Sequence, residues 1–116
     1  MTTRNLSQMF QPKSVAVIGA SNRERRVGTT VLQNVVDGGF KGDIYPVNPK
    51  YSTLANLRCY RDVADLPQAP DLAVICTPPA TVPDLIRELG ERGTRAVVVL
   101  TSGLARERDR QGVTLQ

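Results

Sequence analysis

Short, unalternating apolar runs are the first pattern along this chain. Val15–Ile18, Leu72–Cys76 and Ala96–Leu100 are rich in β-branched residues and contain no polar position. Strands that are buried on both faces have this pattern, because helices cover both sides of a parallel sheet. Asp43–Val47 is predicted to be a further strand, with Pro46 near its end, where the loss of a backbone donor is tolerated.

Between these runs the apolar positions change to helical spacing. The spacing predicts one helix over 27–37, ended by Gly38-Gly39, and a second over 81–92, ended by Gly93. The apolar stripes of the two helices are Val27, Val31, Val35 and Val36 in the first and Val82, Leu85, Ile86 and Leu89 in the second.

The order of these elements predicts the fold class. With a weak strand around Leu57–Tyr60 the order is β-α-β-β-α-β, which is typical of an α/β, Rossmann-like, doubly wound parallel sheet with right-handed crossovers. A short helix is expected at Leu6–Phe10, beneath the first strand. Leu104–Gln116 begins another charged helical segment without a cap or a following strand. We therefore expect residues 1–116 to be a single domain that is incomplete at its carboxyl end and forms the N-terminal part of a longer protein.

Composition narrows the class of protein. The length of 116 residues suits one domain with one core. No apolar run approaches the roughly 20 residues that a membrane helix needs, and the N-terminus has no secretory apolar segment, so the cytoplasm is the expected location. The net charge of +4 comes mostly from isolated arginines, which argues against a nucleic-acid partner. One local group, Arg23, Arg25 and Arg26, is called the arginine cluster below.

The side chains available for chemistry indicate binding rather than catalysis. The chain has no histidine, which is the commonest general base. Its two cysteines, Cys59 and Cys76, lack CxxC spacing, so a metal site is not expected. Both are expected to be reduced thiols, with Cys76 in the core.

The carboxyl ends of the predicted strands share a composition. Each apolar run is followed by small, polar or proline residues, and the four ends are 19–22, 47–50, 76–79 and 101–103. Turns use such residues in any protein, so one strand end alone has little weight. Four of them at one edge of a parallel sheet favour a ligand site, because ligands bind there, where the strand order reverses.

The first strand end resembles a phosphate-binding turn with an altered glycine pattern. Ser21 and Glu24 occupy the positions where a GxGxxG turn has its later glycines. Gly19 still allows close approach of the backbone, and the following amides and the start of helix 27–37 can hold a phosphate. Ser21 and Asn22 add side-chain donors. The arginine cluster fits either a solvated loop tip or a phosphate contact.

The second strand end bears on the identity of the ligand. An NAD site normally has Asp or Glu there to hold the ribose, whereas this chain has Asn48-Pro49-Lys50. A lysine favours a phosphate on the ribose, as in NADP or in coenzyme A with its 3′-phosphate, although it could also be an ordinary surface lysine. Thr77-Pro78-Pro79 forms a narrow wall that suits an extended adenosine or pantetheine arm. Thr101-Ser102-Gly103 is a further turn able to line the crevice.

These strand ends and their strands together resemble a known family. Four segments show the resemblance: "PKSVAVIGAS", "GGFKGDIYPVNPK", "APDLAVICTPPATV" and "RAVVVLTSGL". In this order they are similar to the CoA-binding domain at the start of NDP-forming acyl-CoA synthetases. They also resemble succinyl-CoA synthetase α subunits, and especially bifunctional relatives that carry a protein lysine acetyltransferase domain. The resemblance runs from about Leu6 to Leu104.

The resemblance implies a ligand and a set of site residues. In this family the Gly-x-Ser loop holds the CoA phosphates, the Asn-Pro-Lys segment lies by the adenosine and its 3′-phosphate, and the Pro-Pro turn borders the pantetheine. The implied site residues are Gly19, Ala20, Ser21, Asn22, Asn48, Pro49, Lys50, Thr77, Pro78, Pro79, Thr101 and Gly103.

The implied function is the binding of CoA or acyl-CoA, with no catalysis by this chain alone. The family's ligase chemistry passes through a phosphorylated histidine on a later domain, and this chain has no histidine. The expected partners are CoA and other domains of the parent chain, without nucleic acid or membrane. Two alternatives stay open from the residues: an NADP-binding domain of a reductase, and a stand-alone regulatory CoA-binding protein.

Overall fold

A four-stranded parallel sheet forms the centre of the protein. The structure, a computed structural model, describes residues 11–100, so the predictions for Leu6–Phe10, for Thr101 and Gly103 and for Leu104–Gln116 lie outside the described residues. The strands are β1 (Ser14–Ile18), β2 (Asp43–Val47), β3 (Thr53–Leu54), β4 (Leu57–Arg58), β5 (Leu72–Ile75) and β6 (Ala96–Val99), and the helices are α1 (Val27–Asp37) and α2 (Val82–Arg92). The sheet has the order β2-β1-β5-β6.

The two helices cover opposite faces of this sheet. One core cluster contains Ala16, Ile18 and Ile75 together with Leu89 of α2. The other contains the alternate residues of the same strands, such as Val15 and Val17, with α1 packed against them. From β1, the connection through α1 leads to β2 at one edge of the sheet. From β5, the connection through α2 leads to β6 at the opposite edge, so the strand order reverses between β1 and β5. The predicted Rossmann-like, doubly wound α/β class is confirmed.

The helix boundaries agree closely with the sequence pattern, but the buried positions differ in part. Helix α1 spans the predicted residues and α2 begins one residue late. The fully buried residues of α1 are Gly28 and Leu32, whereas the valine stripe is only half-buried. In α2 only Leu89 is buried, and Ile86 is 44% exposed. The stripes therefore gave the correct face of each helix; the stripe of α2 includes its buried residue, whereas the stripe of α1 omits both of its buried residues.

The segment between β2 and β5 contains the structure that the pattern predicted least well. The weak strand predicted within Leu57–Tyr60 is β4, which pairs with β3 across a two-residue turn whose residues both have positive φ. Tyr60 then returns along the free edge of β2: its N–H donates to the Pro46 carbonyl (2.9 Å), and its carbonyl accepts from Asn48 N–H (2.8 Å). Pro46 is tolerated because β2 lies at the edge of the sheet.

Neither of the two helices in residues 11–100 is long or apolar enough to span a bilayer.

Candidate ligand-binding site

Two adjoining cavities lie at the carboxyl ends of β1, β2 and β5, where the strand order reverses. The first, of about 260 Å³, is called the polar cavity, and the second, of about 560 Å³, is called the apolar cavity. Both are lined by Gly19, Asn48 and Thr77, one residue from each of the three strand ends. The sheet edge thus forms a continuous crevice with two chemically different halves.

The polar cavity has the electrostatic character of an anion site. Arg23, Arg26 and Lys50 line it, and no carboxylate is among the described residues in its wall. The rest of the lining is Gly19, Ser21, Val27, Gly28, Asn48, Tyr51, Cys76, Thr77 and Pro78. Three cations around so small a space favour a ligand with several negative charges.

Helix α1 directs its N-terminus into this cavity because two glycines allow close packing. A Cβ at Gly28 would overlap the carbonyl oxygen of Gly19, so only glycine lets the first turn approach β1. Gly19 itself has φ +92°, and a Cβ there would lie 2.9 Å from the Cys76 carbonyl group. The N-cap residue Arg26 makes no side-chain capping bond, and the first turn carries no acidic residue. The free amides and the helix dipole are therefore available to an anion.

Ser21 and Tyr51 supply hydroxyl groups to the same cavity. Ser21 is 8% exposed, and its Oγ accepts the Arg23 N–H at 2.9 Å, which leaves the hydroxyl proton able to donate. The Tyr51 hydroxyl lies 3.4 Å from Ser21 Oγ. Tyr51 is not among the residues predicted for the site, and its position directly after the Asn-Pro-Lys turn was the available signal.

Asn48 holds the first two strand-end loops together. Its Nδ2 donates to the Ala20 carbonyl at 2.8 Å, and its Oδ1 accepts the Lys50 N–H at 2.8 Å. Because both polar atoms of the side chain bond to the protein, Asn48 acts mainly as a brace between the loops. Its contribution to the cavities is their shape.

The apolar cavity lies on the α2 side of the sheet edge. Ile18, Val47, Val63 and Leu85 form its apolar wall, and Arg61, Asp62 and Asp84 supply charged groups. Arg92 at the end of α2 holds the wall in place, since its guanidinium donates to the carbonyls of Val63 (2.6 Å) and Leu66 (3.0 Å). Residues 61–63 were not predicted for the site, because no motif marks the loop that carries them.

The predicted site residues divide into three groups. Those that line one or both cavities are Gly19, Ser21, Asn48, Pro49, Lys50, Thr77 and Pro78. Ala20 is fully buried behind the first loop, while Asn22 and Pro79 are exposed, and none of these three lines either cavity. Thr101 and Gly103 lie outside the described residues.

Cys76 was expected in the core; it is half-buried, packs against one core cluster and lines the polar cavity. Burial raises its pKa to about 11 from an ordinary value of 9.0. The unfolded thiol therefore ionises first as pH rises, so this group's contribution to stability is lost between about pH 9 and pH 11.

We expect Cys76→Ala to show a shallower decline in the free energy of unfolding over that range than the wild type. Urea unfolding at several pH values measures it, and parallel curves would contradict the assignment.

Comparison with known proteins agrees with this geometry. The CoA binding domain family matches residues 13–112. A trans-feruloyl-CoA synthase from an unknown prokaryotic organism is 45% identical over 90% of this chain and 15% of its own length. An ADP-forming acetate–CoA ligase of Methanocaldococcus jannaschii is 42% identical over 86% of this chain, which spans only 14% of that protein.

A solved structure extends the likeness to the fold. The dinucleotide-forming acetyl-coenzyme A synthetase 1 of Ca. Korarchaeum cryptofilum has a TM-score of 0.77 and 38% identity, and the match covers 94% of this chain and 23% of that one. The resemblance to the CoA-binding domain of NDP-forming acyl-CoA synthetases is thereby confirmed. This chain belongs to the CoA-binding domain family, and its ligand is coenzyme A.

Proposed function

We propose that this chain binds CoA or acyl-CoA as the N-terminal module of a longer cytoplasmic protein, an NDP-forming acyl-CoA synthetase or a protein lysine acetyltransferase, and does not catalyse a reaction alone. The observation that supports this proposal most directly is the crevice, in which a cavity lined by three cations adjoins an apolar cavity. Two of its relatives are CoA ligases or synthases of which this chain spans about one seventh. The absence of histidine from the sequence supports a binding role.

The polar cavity is assigned to the phosphates of CoA. CoA carries a diphosphate and a separate 3′-phosphate, and no other part of the molecule is charged at neutral pH. The open amides of α1, the hydroxyl of Ser21 and the ammonium of Lys50 are donors suited to phosphate oxygens. Lys50 follows β2, where the ribose of a nucleotide lies in folds of this class. It is therefore assigned to the 3′-phosphate.

The apolar cavity is assigned to the adenine ring. It shares Gly19, Asn48 and Thr77 with the polar cavity, so a base in one cavity and phosphates in the other could belong to one nucleotide. Val47, Val63 and Leu85 offer apolar surface to the faces of the ring. A carboxylate of Asp62 or Asp84 is suited to accept from the exocyclic amino group. The pantetheine arm then leaves past Pro78.

Lys50 gives the direct test of this assignment. We expect wild-type protein to bind CoA more tightly than dephospho-CoA, because only CoA carries the 3′-phosphate. Lys50→Ala should weaken CoA binding by about five- to thirty-fold, equivalent to about 1–2 kcal/mol for a partly exposed charge-assisted contact. The same change should leave dephospho-CoA binding nearly unaltered. Titration calorimetry with both ligands measures the four affinities.

The control is Lys41→Ala, which removes an exposed lysine with the same change of net charge. Lys41 lies in neither cavity wall, so its removal should change neither affinity by more than about twofold. Equal affinity of the wild type for CoA and dephospho-CoA would remove Lys50 from the site. Tighter binding of NADP than of CoA would overturn the ligand assignment in favour of a reductase domain.

A further inference from the structure

The three residues of the arginine cluster do not all line the polar cavity. Arg23 and Arg26 line the polar cavity, whereas Arg25 does not. Arg25 instead lies on a groove beside α1 that is also lined by Thr30 and Asn34, and Arg26 borders both this groove and the polar cavity. Three arginines within four positions of sequence thus have different surroundings, and the sequence alone gave no reason to separate them.

The geometry of the loop accounts for this division. Arg25 has φ +66°, a left-handed conformation that costs energy for any residue other than glycine. The backbone of Arg23 is fixed on both sides, because its N–H donates to Ser21 Oγ (2.9 Å) and its carbonyl accepts from Thr29 Oγ1 (2.7 Å). A mobile, solvated loop tip would not need these bonds. These bonds fix the backbone of the loop, in which Arg23 and Arg26 line the cavity.

We propose that Arg23 and Arg26 together bind the diphosphate of CoA, while Arg25 has no part in ligand binding. The proposal rests on the function proposed above and identifies residues that would hold the phosphates in a turn that lacks the later glycines of the GxGxxG pattern. Guanidinium groups bind phosphate oxygens in pairs of parallel hydrogen bonds. Arg26 also occupies the uncapped N-cap of α1, so its side chain and the helix amides act on the same anion.

The test compares three single variants that remove the same charge from the same loop. Arg23→Ala and Arg26→Ala should each weaken CoA binding by about tenfold, the effect of losing one partly exposed charge-assisted bond. Arg25→Ala is the matched control and should stay within about twofold of the wild type. Because the diphosphate is common to both ligands, each cavity variant should weaken dephospho-CoA as much as CoA. Lys50→Ala, by contrast, is expected to affect CoA alone.

Titration calorimetry at fixed salt measures the affinities, and circular dichroism with thermal melting verifies that each variant is folded. Arg26→Lys keeps the charge without the planar fork and should fall between wild type and Arg26→Ala. Equal losses in all three alanine variants would mean that the loop acts only through its overall charge, and the proposal would be overturned. Unchanged binding in Arg23→Ala and Arg26→Ala would overturn it as well. Failure of the wild type to bind CoA would overturn the proposed function together with this one.

Discussion

Replacing Gly28 with alanine should abolish measurable CoA binding and lower the free energy of unfolding by about 2–4 kcal/mol. The added Cβ would overlap the carbonyl oxygen of Gly19 and lie 2.8 Å from its carbonyl carbon. Both atoms belong to the backbone, so no side-chain rotation relieves the overlap. The first turn of α1 must move away from β1, and its N-terminal amides then leave the polar cavity.

Gly90→Ala is the control for this change. Gly90 lies inside α2, and a Cβ built there meets nothing within 4 Å. Alanine should therefore stabilise the protein by about 0.5–1 kcal/mol through its better helix propensity, with CoA affinity unchanged. Urea unfolding and calorimetric titration measure both variants. A Gly28→Ala protein that binds CoA normally would show that α1 need not approach β1 so closely.

Replacing Leu89 with alanine should lower the free energy of unfolding by about 3–4 kcal/mol, a large share of the 5–15 kcal/mol typical of a domain. Leu89 is fully buried, and it is the buried residue of α2 in the core cluster that also contains Ile18, Val63 and Ile75. Its removal deletes apolar contacts and leaves a cavity between α2 and the sheet. Thermal and urea unfolding monitored by circular dichroism measure the effect.

Ile86→Ala provides the comparison for Leu89. Both are aliphatic residues of the same helix and belong to the apolar stripe predicted from the sequence, yet Ile86 is 44% exposed. Its replacement should cost less than about 1 kcal/mol. Comparable losses from the two substitutions would contradict the packing of α2 described here.

Most of the secondary structure could be predicted from the sequence because burial on one or both faces of an element leaves a characteristic pattern of apolar positions. The run Leu72–Cys76 has no polar position, as a strand covered on both faces requires, and β5 occupies all of it except its last residue. Helix α1 ends before Gly38-Gly39 as predicted. The general position of the site followed from the same logic, since the ends of parallel strands meet at one edge of the sheet.

Which residues line the site depends on the direction of each side chain and on the path of the backbone between strands. A sequence motif specifies neither. Gly19, Ala20 and Ser21 are consecutive, yet Ala20 points into the core while its neighbours line the crevice. Residues 61–63 reach the apolar cavity because the hairpin of β3 and β4 brings Tyr60 back along β2, and these residues carry no periodic pattern. The arginine cluster could be divided only once the left-handed backbone of Arg25 was known.

The brace formed by Asn48 has a kinetic consequence. One hydrogen bond of its side chain joins the loop after β2 to the loop after β1, and a second fixes the side chain within its own loop, so the two walls of the crevice keep their relative position before a ligand arrives. A preorganised site spends little conformational entropy on association and needs no slow rearrangement after encounter. The association rate of CoA should then be governed by diffusion of a polyanion toward a cationic cleft, and it should fall as ionic strength rises.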